Sequence, residues 1–379
     1  MNIQIIKESS PHLRRRDNLF SMMLDVVIAL VPTIIFSLVV FKLDALRNIL
    51  ISVLTMELCE FGYIYLIKSR PAYTGKKISL KEWDENFKKT YTINNFMVPL
   101  VSALIFALIS PAATNPGYMI YPVLILGSAF GLIIGKFVFG GTGKNIFNPA
   151  AVGMVFAKLC FGRFYIYPNN NYYPSYDITA GATPLGPVNY GDKVFDMSQY
   201  SLLDLFLGRC PGTIGEVFKI TILLGLVYML IRHTIDWRIT FTYLGVFAIN
   251  MLVAGFILQG SGKYTDFNAF NYMTYHLLSG GLLFGAVFMA TDPVTAPLTR
   301  PGKVLYGIIL GSLTAIIRLF AAYPEGCVFS ILLANMMTSV IDYYRWSDDS
   351  YNWKKVLVSS VTFIVPLLIV VWAVCVGVL

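Results

Sequence analysis

Residues 19–40 read LFSMMLDVVIALVPTIIFSLVV and follow three consecutive arginines at positions 14–16. At 1.5 Å per helical residue, this run covers roughly 33 Å, enough to cross the hydrocarbon core of a bilayer. The whole chain is similarly apolar: 56% of its 379 residues are hydrophobic and 13% are charged, whereas soluble domains carry about 25% charged residues. The composition therefore excludes an ordinary water-soluble enzyme and predicts an integral membrane protein.

Apolar runs of about 18 to 23 residues recur along most of the chain. They predict an all-α polytopic membrane protein with about 10 or 11 transmembrane helices. The first run is not followed by a signal-peptide cleavage site, so we expect it to remain as an anchor. The predicted spans are residues 19–41, 46–67, 95–111, 119–139, 145–161, 214–231, 239–258, 272–290, 304–321, 325–342 and 356–378.

Basic residues in the loops predict the orientation of these spans. The segment at 68–94 carries seven lysines and arginines, whereas the loop after the third span carries none. By the positive-inside rule, the N-terminus and the 68–94 segment are cytoplasmic, and the long segment at 162–213 lies on the outer face. The positive-inside rule thus accounts for the net charge of +8. We therefore expect the chain to lie in the lipid bilayer of the cytoplasmic membrane and not to bind nucleic acid.

A weak internal repeat divides the chain. The tetrapeptide Ile-Leu-Gly-Ser at 125–128 recurs at 309–312. Each copy precedes a basic residue and then an asparagine: Lys136 and Asn148 in the first, Arg318 and Asn335 in the second. The copies lie five spans apart, which predicts two inverted five-helix repeats with broken helices, unless the similarity arises by chance. The predicted organisation is a cytoplasmic N-terminus (1–18), a first repeat (19–161), an outer segment (162–213), a second repeat (214–342) and an additional apolar helix (356–378).

The sequence contains no clear metal-binding or nucleotide-binding motif. The five cysteines are scattered singly, and the three histidines are too few for a multi-haem protein. The stretch Gly-Gly-Thr-Gly-Lys-Asn at 140–145 departs from a phosphate-binding loop at Val138 and Asn145. Any redox chemistry therefore needs an organic cofactor.

The outer segment contains Asp177-Ile-Thr-Ala-Gly-Ala-Thr-Pro-Leu-Gly186. Gly181 and Ala182 leave the chain unobstructed, and Pro184 favours an extended or turn geometry at Thr183. The threonine hydroxyl is thereby a candidate acceptor of a covalent group. On these residues alone the signal is weak, and an ordinary turn threonine is the favoured interpretation.

Eight short sequence blocks along the chain together form a specific pattern. They are Ser10-Pro-His-Leu-Arg14, Met23–Leu30, Gly140–Ala150, Ala180–Leu185, Phe288–Thr295, Tyr323–Gly326, Asn335 and Ile341-Asp342. With these blocks the chain resembles the D subunit of the Rnf electron-transport complex and, more distantly, the B subunit of the sodium-pumping NADH:quinone reductase. The resemblance covers nearly the whole chain up to about residue 345.

The resemblance implies that Thr183 carries FMN through a phosphoester bond, which a flavin transferase installs. The transferase pattern has Gly directly after its Asp and Ser three residues after it, whereas this chain has Ile178 and Ala180. These departures concern recognition by the transferase more than the attachment residue. The predicted cofactor-binding residues of this motif are Asp177, Gly181, Ala182 and Thr183.

A second constellation lies in the sequence GGTGKNIFNP at 140–149, on the predicted cytoplasmic side. Asn145 and Asn148 share one face at a helix start, so their amides can hydrogen-bond the edge of a flavin, while Gly141 permits close backbone approach. The resemblance implies a second, non-covalent flavin here, riboflavin or FMN. The alternative is that the asparagines only cap and shape a broken span.

Three further acids are candidates for function. Asp292 occupies the corresponding place in the second repeat, where it either caps a half-helix or faces the same cofactor cavity. Glu57 and Asp25 lie within predicted spans, and their carboxylate oxygens suit Na⁺ or H⁺ in a desolvated cation path. The alternative for Asp25, and for Glu60 one turn after Glu57, is solvation near the membrane surface.

The resemblance implies a membrane component of an ion-translocating ferredoxin:NAD⁺ oxidoreductase that relays electrons through covalent FMN and is coupled to Na⁺ or H⁺ transport. Because the sequence has no nicotinamide or cluster motif, we expect iron–sulfur and flavin subunits of the Rnf complex as partners that bind the terminal substrates. Two alternatives remain: the B subunit of the quinone reductase, and a non-redox channel or transporter with inverted repeats. Residues 356–378 are predicted to form an eleventh helix that packs against a partner.

Overall fold

The computed structural model describes residues 18–70, 80–112, 120–162, 184–185, 200–261, 267–321, 325–343 and 349–376. Regular structure within these residues is helical throughout. The helices are α1 Leu19–Tyr63, α2 Leu80–Thr90, α3 Ile93–Leu108, α4 Ile120–Leu132, α5 Pro149–Phe161, α6 Leu202–Leu207, α7 Lys219–Ile231, α8 Trp237–Gly260, α9 Ala269–Leu278, α10 Leu282–Phe284, α11 Arg300–Phe320, α12 Cys327–Ile341 and α13 Trp353–Cys375. Short π-helical turns extend α1, α4 and α10 at Ile64–Lys68, Ile133–Phe137 and Gly285–Met289.

Membrane-length helices dominate the described part of the chain. Five are long and apolar enough to cross a bilayer, or seven if the bent pairs α2–α3 and α9–α10 each count as one span. The protein is therefore an all-α polytopic membrane protein, which confirms the predicted fold class. Three predicted spans correspond to shorter helices, α5, α7 and α12, of 13 to 15 residues. These helices reach only about 20 Å, because each begins two to five residues later than predicted.

Helix α1 contains two of the predicted spans. Its 45 residues would extend about 68 Å if straight, roughly twice the hydrocarbon thickness. The backbone at Lys42 is non-helical (φ 49°, ψ −125°) and divides the helix. Before this break Asp25 pairs with Arg232 at the end of α7, and after it Asn48 donates to the carbonyl of Pro111 beyond the end of α3. The two segments thus make polar contacts with different parts of the molecule.

The two halves pair their helices in the same order, α4 with α5 and α11 with α12. The basic residues of the repeat, Lys136 and Arg318, are both fully buried. The two asparagines of the repeat meet: in the orientation that satisfies both groups, the amide oxygen of Asn335 accepts from the backbone N–H of Asn148 at 3.1 Å. The opposite orientation of the two repeats stays a prediction, as does the inner and outer assignment.

The start of α8 is fixed to α11 at the end of the molecule predicted to be cytoplasmic. Asp236 caps α8 by accepting from the backbone N–H of Arg238 at 3.0 Å, and it pairs with Lys303 at 3.0 Å. Burial alone would raise the pKa of the Asp236 carboxyl, but the Arg238 N–H and the Lys303 ammonium outweigh burial and hold that pKa below its usual value. The carboxylate therefore stays ionised and holds the two helix starts together.

Candidate functional site

A cavity lies between the two halves, where α1, α3, α5, α7 and the segment after α10 meet. Its cavity volume is about 50 Å³, which is below the roughly 300–1,000 Å³ that is usual for cofactor sites. Apolar side chains form most of its wall, among them Met23, Val26, Val101, Ile105, Val287 and Phe288. The apolar wall suits a flat aromatic ligand, and the cavity would have to widen to admit one.

Three of the predicted site residues line this cavity together. Asn145 and Asn148 come from the loop before α5, and Asp292 comes from the break after α10. Ser102 on α3 and Lys136 at the end of α4 add further polar groups to the wall. A few convergent polar groups in an apolar pocket are typical of a site that fixes the orientation of a ligand.

Asn145 and Asn148 have different roles. The amide oxygen of Asn148 accepts from the backbone N–H groups of Ala150 and Ala151, and its amide nitrogen donates to the carbonyl of Met289 at 3.3 Å. Asn148 is thus the cap of α5 and a link between the halves. Asn145 donates to the carbonyl of Phe147, and its amide oxygen accepts no hydrogen bond in the described part of the chain. Asn145 is therefore the better placed of the two to hold a ligand.

Asp292 closes a turn and also lines the cavity. Its carboxylate accepts from the backbone N–H of Val294 at 3.3 Å and from the hydroxyl of Thr295 at 3.1 Å, so it closes the turn after the broken span. The same residue contributes to the cavity wall. Asp292 thus lines the cavity as one expectation had it, and the segment that it closes is a turn and not a half-helix.

A buried ion pair at the cavity wall was not predicted as part of the site. The ammonium of Lys136 donates to Glu60 Oε2 at 2.8 Å, and each side chain is 1% exposed. Glu60 Oε1 and Glu57 Oε1 are buried and have no partner among the described residues. The only sequence signal for Lys136 was its place in the repeat, a basic residue inside an apolar run.

The remaining described candidates lie beside the cavity and not on its wall. Asp25 is buried and accepts from Tyr228, Arg232 and Thr234 at 3.0–3.2 Å, so it forms a closed clamp between α1 and α7. Solvation near the surface therefore does not describe Asp25 or Glu60. Gly141 has φ +95°, and a Cβ there would lie 2.7 Å from the Lys68 ammonium. That conformation favours glycine, but it serves the loop and not the cavity.

Asp177, Gly181, Ala182 and Thr183 lie outside the described residues, but their neighbours Pro184 and Leu185 are described. The hydroxyl of Tyr275 on α9 donates to the carbonyl of Pro184 at 2.9 Å. Leu185 is fully buried against the α9–α10 turn, where Gly280 has φ +64° and a Cβ would lie 3.0 Å from Leu185 Cδ1. We call this place, formed by Tyr275 and Gly280, the seat of Pro184–Leu185.

Buried charges surround this seat. Lys219 donates to the carbonyl of Gly280 at 3.1 Å and also to the carbonyl of Glu216. The guanidinium of Arg318 donates to the carbonyl of His276 and lies 4.9 Å from the ring of Phe247. Nothing in the sequence indicated this cluster beyond the isolated charges in or beside apolar runs.

Most of the chain is shared with a known family. Residues 6–349 match the sequence model of the NQR2, RnfD, RnfE family. The chain belongs to this family. The match includes the whole cavity and the seat of Pro184–Leu185, and it ends before α13. Helix α13 is therefore an element outside the part that the NQR2, RnfD, RnfE family shares.

Similar proteins include subunits of two kinds of complex. The chain is 32% identical over 344 residues to the D subunit of the Na⁺-translocating ferredoxin:NAD⁺ oxidoreductase complex of Acetobacterium woodii, covering 90% of this chain and 94% of that protein. It is 37% identical over 249 residues to the B subunit of the Na⁺-translocating NADH-quinone reductase of Chromohalobacter salexigens, covering 64% of this chain and 57% of that protein. The chain thus spans little more than half the length of the reductase protein.

Proposed function

We propose that this protein is the membrane-embedded electron-relay subunit of a ferredoxin:NAD⁺ oxidoreductase complex of the Rnf type, coupled to Na⁺ or H⁺ transport. Family membership supports a subunit of one of the two kinds of complex. The match over 94% of the ferredoxin:NAD⁺ relative, against 57% of the quinone reductase relative, favours the first. Iron–sulfur and flavin subunits are the partners that would bind the terminal substrates.

The observation that carries this proposal is the cavity that brings Asn145, Asn148 and Asp292 together. Its residues fit a flavin, because Asn145 has an amide oxygen without a donor among the described residues and the walls beside it are apolar. A bound flavin would supply single-electron transfer at a potential tuned by nearby hydrogen bonds and charges. Val101 and Phe288 would exclude water from the ring, and Asn145 would orient its polar edge.

The second part of the proposal places covalent FMN on Thr183, next to the seat of Pro184–Leu185. Tyr275 and Gly280 hold this seat at the end of α9, whereas Asn145 and Asn148 precede the start of α5. By the positive-inside rule, the segment that carries Thr183 would lie on the outer face and the start of α5 toward the cytoplasmic face. Two redox sites so arranged would form an electron path across the membrane.

We expect Ser102→Phe to remove the non-covalent flavin from the purified protein. Ser102 lines the cavity, and a phenyl ring there would occupy the volume that the isoalloxazine needs. The measurement is the flavin released into the supernatant when the protein is denatured, since covalent FMN stays with the polypeptide.

The matched control is Ser360→Phe on the exposed side of α13, which should release as much flavin as the unaltered protein. An unaltered protein that releases no flavin and shows no flavin absorbance would favour the non-redox alternative. Flavin release from Ser102→Phe at the unaltered level would place the non-covalent cofactor elsewhere.

We expect Gly280→Ala to lower covalent flavin incorporation several-fold without abolishing it. A methyl group at this position meets Leu185 Cδ1 at 3.0 Å, and φ +64° disfavours any side chain. The change would therefore displace Pro184–Leu185 from its position against α9. In-gel flavin fluorescence per amount of protein measures the effect, and Gly260→Ala, where a Cβ meets nothing within 4 Å, is the control. Equal fluorescence in both variants would mean that the seat does not support modification.

A further inference from the structure

The ion pair of Lys136 and Glu60 is costly for a contact that only packs helices together. Both side chains are 1% exposed, so both charges have lost their hydration. Desolvation of such a pair is costly, and replacement by well-packed apolar residues of similar volume often leaves a protein equally or more stable. A role in stability alone therefore explains the pair poorly, and its position at the cavity suggests another role.

The pair is asymmetric with respect to the cavity. Lys136 is part of the wall, whereas Glu60 lies behind it and is not. The other charged groups near the cavity are engaged: Asp292 accepts from Val294 and Thr295, and Asp25 pairs with Arg232. Lys136 is thus the one cationic residue on the described wall, and Glu60 is its hydrogen-bonded counter-ion.

We propose that Lys136 sets the reduction potential of the flavin bound in this cavity, and that Glu60 holds the ammonium in place and moderates its charge. The inference rests on the proposed function and adds to it a residue that tunes the potential. When a one-electron donor reduces the ring without protonation, the ring gains one unit of negative charge. A cation at the wall of a low-dielectric cavity stabilises that charge far more than it would in water.

Lys136 and Glu60 therefore act in opposite directions on the same equilibrium. Removal of the Lys136 charge disfavours the reduced ring and lowers its midpoint potential. Removal of the Glu60 charge leaves the ammonium uncompensated and raises that potential. A purely structural pair would loosen the same contact in both variants and would give shifts of the same sign or none.

The test uses the full chain carrying Thr183→Ala, so that only non-covalent flavin is present, loaded with riboflavin. Midpoint potentials are measured by spectroelectrochemical titration with dithionite as reductant. We expect Lys136→Gln to lower the potential, Glu60→Gln to raise it and Lys136→Arg to retain it. The control Lys354→Gln, an exposed lysine on α13, should leave the potential unchanged. The Kd for oxidised riboflavin, whose ring is neutral, should change much less than the potential.

Shifts of the same sign in Lys136→Gln and Glu60→Gln, or no shift in either, would overturn the inference while leaving the flavin site intact. A chain that binds no riboflavin would overturn the proposed function as well. If a single variant does not fold, the double variant Lys136→Gln/Glu60→Gln keeps no unpaired buried charge. Its potential should lie below that of the parent chain, because the cation that it loses is the charge on the wall; a potential at or above the parent value contradicts the proposal.

Discussion

Thr183→Ala is expected to remove all covalently bound flavin from this protein. The expectation rests on the Gly-Ala-Thr-Pro-Leu motif at 181–185 and on the buried seat that holds Pro184 and Leu185 against α9. A phosphoester needs a hydroxyl, which alanine lacks. Ultraviolet fluorescence of the denatured band on a gel measures the effect, and it should fall to background.

Two controls separate the attachment site from its surroundings. Thr179→Ala makes the same change four residues earlier in the motif and should leave the band fluorescent. Thr183→Ser keeps a hydroxyl at the attachment position and should retain part of the fluorescence. A fluorescent Thr183→Ala band would contradict the assignment, since the flavin would then be attached elsewhere.

Breaking the buried ion pair on one side is expected to destabilise the protein strongly. Glu60→Leu or Lys136→Met alone leaves one unpaired charge at a position that is 1% exposed. Such a charge costs about 3–5 kcal/mol of unfolding free energy, whereas removal of both charges is often nearly neutral. The double variant Glu60→Leu/Lys136→Met should therefore recover most of the stability that either single variant loses.

The measurement is a double-mutant cycle on unfolding in detergent micelles, with each variant compared under identical conditions. We expect a coupling free energy of several kcal/mol between the two positions. Additive losses in the double variant would show that the two side chains do not interact in the folded protein. The cycle tests the ion pair itself, independently of any flavin.

The positions of most helices could be predicted from the sequence, because the thickness of the bilayer sets the length of each apolar run. Within α1 the sequence separated two spans at about residue 41, and the structure breaks the helix at Lys42. The start of α5 was harder to predict, because a local polar contact decides it. Helix α5 begins at Pro149 and not at 145, since Asn148 caps it. The span at 272–290 is bent by 63° between α9 and α10, near Gly280 and Gly281.

Part of the candidate cavity site could also be predicted from the sequence. The cavity brings Asn145, Asn148 and Asp292 together, 147 positions apart at the extremes, and their places in the repeat had paired them beforehand. Lys136 and Glu60 are 76 positions apart and carry no shared motif. Only the packing of α1 against α4 brings them together, and such a contact cannot be predicted from a single sequence. The seat formed by Tyr275 and Gly280 was missed for the same reason.

Mass spectrometry of the peptide that contains Thr183, from protein matured in its own cells, tests the central claim most directly. Trypsin cleaves after Arg163 and Lys193 and releases residues 164–193 with the whole motif. The proposed function predicts this peptide at its own mass plus that of FMN less one water, with fragment ions that place the addition on Thr183. An unmodified peptide 164–193 from mature protein would contradict the proposal that this chain is a covalent flavin carrier.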